Sequence, residues 1–181
     1  MKKVILNALV SGCFIVMSGA AIAAPDSGNI RFLGDITNSA CAIGGGQQGA
    51  DMTVALGSYP VKMFADGIGT KSPMTDFSIS LIDCDLSTAQ TATIEFVAGS
   101  GSSSGNNLLN VENVPGGATG VAVGLVDWNG DVVQVGGSAS APIALAAGTN
   151  ILNFKAFYES IDSVVEAGPA NARAVFKVAY P

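Results

Sequence analysis

Ala174-Val175-Phe176-Lys177-Val178-Ala179-Tyr180-Pro181 is the stretch that decides the fold. Ala174, Phe176, Val178 and Tyr180 fall on one face, and Arg173 and Lys177 fall on the other. That two-residue period belongs to a β-strand with one buried side. Moving back along the chain, the same period recurs. Leu152, Phe154, Ala156 and Tyr158 alternate with Asn153, Lys155 and Phe157. Ala92, Ile94 and Phe96 alternate with Thr91, Thr93 and Glu95. Phe77, Ile79 and Leu81 alternate with Ser78 and Ser80. Met52, Val54 and Leu56 alternate with Thr53 and Ala55, and Ile30, Phe32 and Gly34 with Arg31 and Leu33. Gly120 to Asp127 is almost continuously apolar, which predicts a strand buried on both faces.

Turn chemistry separates these runs. Asn129-Gly130 lies between Val126 and Val132 and predicts a hairpin. Pro115-Gly116-Gly117 predicts another turn, and the Gly/Ser/Asn stretch Gly99 to Asn107 a loop. Long helical periodicity, internal repeats and composition breaks are absent. The pattern predicts an all-β chain folded as a single β-sandwich of the Ig-like kind.

The two ends of that sandwich pose a physical problem. The final strand stops at Pro181 with its apolar face intact, and nothing after it is expected to cover that face. An exposed strand edge is a template for pairing with another chain. Each buried backbone group left unpaired costs on the order of 1–3 kcal/mol. At the other end, a short polar stub from Ala24 leads into the alternating segment at Ile30. Such a spare segment can add as a strand to the open edge of another copy. Repeated head to tail, that contact does not close and produces a filament. An intramolecular first strand containing Ile30 and Phe32 is the competing expectation.

The N-terminus predicts export. Lys2 and Lys3 precede the mainly apolar run Val4 to Met17, and Ala21-Ile22-Ala23 offers a small-x-small cleavage pattern. Residues 1–23 are therefore expected to be a signal peptide. The run is short for a membrane span and lacks a basic stop-transfer cluster, so no membrane insertion is expected after cleavage. Val10-Ser11-Gly12-Cys13 offers a competing lipoprotein-type box. Cleavage there would strand the apolar run Phe14 to Met17 at the new N-terminus. Removing Lys2 and Lys3 makes a chain of net charge −6 more acidic still. That balance disfavours nucleic acid and anionic membrane surfaces, both of which need basic patches. The mature chain retains two cysteines, Cys41 and Cys84, and in an exported protein an isolated pair reads as a disulfide. Closing that loop constrains the unfolded chain by about 4 kcal/mol.

Catalytic chemistry finds little support. The chain contains no histidine. It therefore has no Ser-His or Cys-His pair and no imidazole metal ligand. Asp83 and Asp85 flank Cys84 on the opposite face and are expected to be solvated. Asp127 and Asp131 bracket a turn, where aspartate serves the backbone. Gly116, Gly117 and Gly120 lack the Lys-Ser and helix of a phosphate loop. No enzyme activity, metal or cofactor is expected. A ligand-binding adhesin is the alternative from another class, but Cys41 follows the cleavage site too closely to admit an extra receptor-binding domain.

The chain resembles the pilin subunits of chaperone–usher fimbriae, in particular type 1-like major pilins. The resemblance rests on Gly28 to Gly34 with Asn38-Ser39-Ala40-Cys41, on Leu56-Gly57-Ser58-Tyr59, and on Phe77 to Cys84. It extends to Gly120-Val121-Ala122-Val123 and to the closing strand with its penultimate Tyr180. Gly168, fourteenth from the end, is the other position this family marks. The resemblance implies an incomplete Ig-like sandwich lacking its final strand, built from an N-terminal donor extension, 24–36, and a pilin domain, 37–181. It implies donor residues Gly28, Ile30 and Phe32, and an acceptor groove and partner contacts at Gly168, Ala174, Phe176, Val178 and Tyr180. Implied partners are a periplasmic chaperone, an outer-membrane usher and neighbouring pilin subunits in a homopolymer. The implied location is a surface fimbria that supports cell adhesion. A minor adaptor or terminator subunit stays open; a terminator should lack a usable donor segment, whereas Gly28 to Gly34 looks usable. The stub before Gly28 is short and contains Pro25 and Asp26, which leaves open how many groove pockets the donor fills.

Overall fold

A sandwich forms because strands with one apolar face must bury that face against another sheet. In the computed structural model, which describes Arg31, Ile36 and residues 38–45, 49–99 and 107–181, nine strands do so. The expected signal peptide, the donor candidates Gly28, Ile30 and Phe32, and loop residues 100–106 lie outside the described residues. The strands are β1 Ala42–Ile43, β2 Thr75–Cys84, β3 Thr91–Ala98, β4 Leu109–Asn110, β5 Val121–Val126, β6 Val132–Val133, β7 Ile143–Ala144, β8 Gly148–Ser160 and β9 Ala174–Ala179. One sheet runs β1-β2-β8-β5-β4, with β6 also pairing β5, and the other runs β7-β3-β9. All strand pairs are antiparallel.

The core lies between the sheets. Ile79 and Leu81 of β2, Leu152, Phe154 and Ala156 of β8, and Val123 and Leu125 of β5 meet Ala92, Ile94 and Phe96 of β3. Phe154 sits at its centre. Its ring stacks on Phe77 at 5.5 Å and meets Phe96 edge-on at 5.2 Å and Trp128 at 5.4 Å. Fully burying such a ring contributes about 1.5–3 kcal/mol.

The turns follow their sequence chemistry. Gly130 takes a φ of 86° and donates its N–H to the Asp127 carbonyl at 3.0 Å, joining β5 to β6 in register Val126↔Val132. Gly117 N–H donates to the Val114 carbonyl at 2.9 Å across Pro115-Gly116. Gly116 supplies the positive φ that a type II turn demands after proline.

Three placements are not given by simple alternation alone. Met52, Val54 and Leu56 are half-buried and Thr53 and Ala55 exposed, as expected, yet among the described residues the segment belongs to neither sheet. The period holds: Met52 and Leu56 pack against the core. Phe157 falls on the face opposite Phe154 yet is 0% exposed. Its ring lies over Gly124, whose missing Cβ leaves the space. The Lys71 ammonium sits 4.8 Å from the ring centroid and 3.6 Å from Glu159 Oε2. The third concerns β2. Continuing the phase of Ile79 and Leu81 would turn Cys84 outward. The register instead shifts between Leu81 and Cys84, and Asp83 takes a φ of 52°. This bulge turns Cys84 into the core and leaves Asp83 in solvent.

Candidate assembly surface

The bulge brings Cys84 to Cys41, and the two form a disulfide with Cα atoms 4.1 Å apart. It fastens the chain before β1 to the end of β2. The Asp85 N–H donates to the Ala40 carbonyl at 2.8 Å beside it. Asp85 itself is solvated. Its carboxyl is held below the ordinary range by bonds from Ser87 and Thr88.

β9 lies at the edge of the smaller sheet. It pairs β3 from Thr93↔Ala179 to Ala98↔Ala174. Its other edge pairs with no strand among the described residues. Phe176, Val178 and Tyr180 are only half-buried, although each packs against the core. The Phe176 ring lies 6.5 Å from Phe96. Val175 and Lys177 project outward and Ala174, at the strand's start, is exposed. The strand therefore presents an apolar row whose backbone edge is open and whose side chains are incompletely covered.

The far end of the row is tied down. The Tyr180 hydroxyl donates to the Cys41 carbonyl at 3.3 Å, and the Thr91 hydroxyl donates to the Pro181 carbonyl at 3.2 Å. Burial pushes the Tyr180 phenol above its ordinary range. Met52 and Leu56 pack on the same core that underlies Phe176, Val178 and Tyr180.

Among the expected groove residues, the structure brings Phe176, Val178 and Tyr180 together. Gly168 lines a different cleft of about 370 Å³, bounded by Tyr59, Phe64, Tyr158 and Asn171 among others, with none of Ala174, Phe176, Val178 or Tyr180 in its walls. Gly168 is needed where it stands because a Cβ there would collide with the backbone of Gly116, Gly117 and Ala118. In the same cleft the Tyr158 hydroxyl donates to the Ala170 carbonyl at 2.9 Å. Sequence reasoning did not assign Met52 and Leu56 to the surface, although their alternation was the available signal. Among the described residues no cluster of His, Cys, Asp and Glu could hold a metal ion.

A family model described as Fimbrial protein matches residues 30–181. The chain belongs to the fimbrial protein family. It is 33% identical to the fimbrial subunit type 1 of Salmonella typhimurium, over 99% of this chain and 100% of that one. Its fold matches the P pilus rod subunit PapA with a TM-score of 0.66 and 23% identity, covering 79% of this chain and all of PapA, 100%. A chaperone–usher pilus structure aligns at a TM-score of 0.71 and 21% identity over 90% of this chain and 100% of that one. These two likenesses are of fold. They match the all-β, Ig-like sandwich expected from sequence. This fimbrial protein is a structural subunit of a surface fimbria, assembles with neighbouring subunits and is not an enzyme.

Proposed function

We propose that this subunit polymerises head to tail by donor-strand complementation. Removal of residues 1–23 leaves an extension, 24–36, ahead of the domain 37–181. Gly28, Ile30 and Phe32 of one copy enter the slot beside β9 of the next. Phe176, Val178 and Tyr180 line that slot, with Ala174 at its mouth and Gly168 bracing the loop that leads into β9. Glycine at position 28 allows close backbone approach where the slot is tight. Before assembly a periplasmic chaperone fills the slot, and at the outer-membrane usher the next subunit's extension replaces it. The product is a homopolymer that supports cell adhesion.

The observation that carries this reading is the open edge of β9 beneath a half-covered apolar row. An added strand there gains backbone hydrogen bonds and buries side chains at alternate positions. The test is thermal unfolding of the purified subunit with and without a peptide of residues 24–35. The peptide should raise Tm substantially, and the same peptide carrying Ile30→Asp and Phe32→Asp should not. Equal melting in all three samples would sink the proposal. Deleting 24–32 should abolish fibres while preserving chaperone binding; fibres that still form would place the contact elsewhere.

A further inference from the structure

The chain contains one Asn-Gly dipeptide, Asn129-Gly130, at the exposed tip of the β5–β6 hairpin. Asn-Gly is the pair most prone to spontaneous deamidation, because glycine offers no side chain to hinder ring closure. In that reaction the Gly130 backbone nitrogen loses its proton and attacks Asn129 Cγ. The Cγ–Nδ2 bond breaks and ammonia leaves. Water then opens the succinimide to aspartate or isoaspartate. The second product inserts an extra methylene into the backbone and would disrupt the hairpin.

The hairpin cannot easily avoid the pair by changing residue 130. Gly130 holds a φ of 86°, where a side chain is strained. The structure places a different safeguard around it. Three consecutive amides converge on Asp127, which is 4% exposed. Asn129 N–H and Asp131 N–H donate to Asp127 Oδ1 at 2.9 and 3.0 Å, and Gly130 N–H donates to the Asp127 carbonyl at 3.0 Å. Asp127 N–H in turn donates to the Asp131 carbonyl at 2.9 Å. Asp127 is buried and directly follows the fully buried strand β5, so this clamp is anchored at the end of a core strand.

We infer that Asp127 guards Asn129-Gly130 against succinimide formation. The attacking nitrogen keeps its proton engaged in a hydrogen bond. The carboxylate fixes the amides on both sides, so turning the backbone at Asn129 to bring the Gly130 nitrogen onto Cγ breaks the bonds from Gly130 and Asp131. Reaction then requires local opening of the hairpin, and its rate falls by the fraction of time the turn is open.

The test incubates the purified full chain at mildly alkaline pH and follows Asn129 by peptide mass mapping with isoaspartate detection. Native protein should convert at least about tenfold more slowly than the same chain held unfolded in urea or a synthetic peptide of residues 126–133. Asp127→Ala should bring the folded protein toward the peptide's rate. Asp127→Asn, which retains an acceptor oxygen, should fall between. Hydrogen exchange at the amides of 129, 130 and 131 should be slow in the native protein. If Asp127→Ala does not fold, the native-to-unfolded rate ratio and these three amides still decide the matter. Native conversion at the unfolded rate, or an unchanged rate in folded Asp127→Ala, overturns the inference.

Discussion

β5 and β9 are each six residues long, and the sandwich treats them differently. All six residues of β5 are buried, and the strand is paired on both edges, by β8 on one side and by β4 and β6 on the other. No residue of β9 is fully buried, and among the described residues only β3 pairs with it. Both strands rest on the same core. The difference teaches that, among the described residues, the interior is saturated on the β5 side and unfinished on the β9 side. A completed strand such as β5 has nothing left to gain from a partner. Among the described residues β9 still has a backbone edge and two half-covered side chains, Phe176 and Val178, to offer, with Tyr180 just beyond it.

The comparison can be broken most forcefully from the saturated side. Phe154→Ala removes the ring at the centre of the aromatic cluster and should cost about 3–5 kcal/mol in urea unfolding. Its effect should be the same with and without the 24–35 peptide, since Phe154 is already covered. Replacing both Cys41 and Cys84 by alanine should cost about 2–5 kcal/mol in the same measurement. Because the disulfide lies beside the Tyr180 anchor, this change should also weaken peptide binding. Gly124→Ala puts a Cβ against the Phe157 ring and should cost about 1–3 kcal/mol by overpacking. A neutral outcome would mean that Phe157 can move off β5.

The open side gives smaller and conditional effects. Phe176→Ala should cost about 1–2 kcal/mol in the bare subunit, because only part of the ring is buried. With the peptide bound the loss should grow, as the slot then covers the rest of the ring. A cost independent of peptide would show that β9 and β5 do not differ in the way described. Tyr180→Phe should be mildest, at about 1 kcal/mol, through loss of the bond to the Cys41 carbonyl. Its pH signature is more distinctive. Burial raises the Tyr180 phenol in the folded state. The folded protein therefore holds that proton more tightly than the unfolded chain, and stability should fall as pH rises past about 10. Tyr158 is raised by burial in the same direction. Tyr180→Phe should thus lessen, without abolishing, the alkaline loss seen by circular dichroism.

Most strands were legible in the sequence because their period depends only on which side chains water rejects. Ala92-Ile94-Phe96, Leu152-Phe154-Ala156 and Phe176-Val178-Tyr180 all keep their expected phase. The candidate site was legible to the extent that its apolar row lies on one strand. Gly168 was less so, because the need for glycine there arises from the backbone of a distant turn at 116–118. Met52 and Leu56 were legible as a strand-like period, but alternation reports only burial and says nothing of whether a ladder partner stands alongside.

By itself, then, the sequence determined an all-β sandwich, its turns, the pairing of Cys41 with Cys84 and an apolar final strand, since these follow from local sterics, side-chain hydrophobicity and the chemistry of an isolated cysteine pair. Tertiary structure alone decided which side chains depart from that rhythm. A bulge at Asp83 turns Cys84 inward, a missing Cβ at Gly124 admits Phe157, and among the described residues β9 is paired on one edge only. The reason is common to all three: local pattern sets the face a residue prefers, whereas pairing and close approach depend on chain segments far away in sequence.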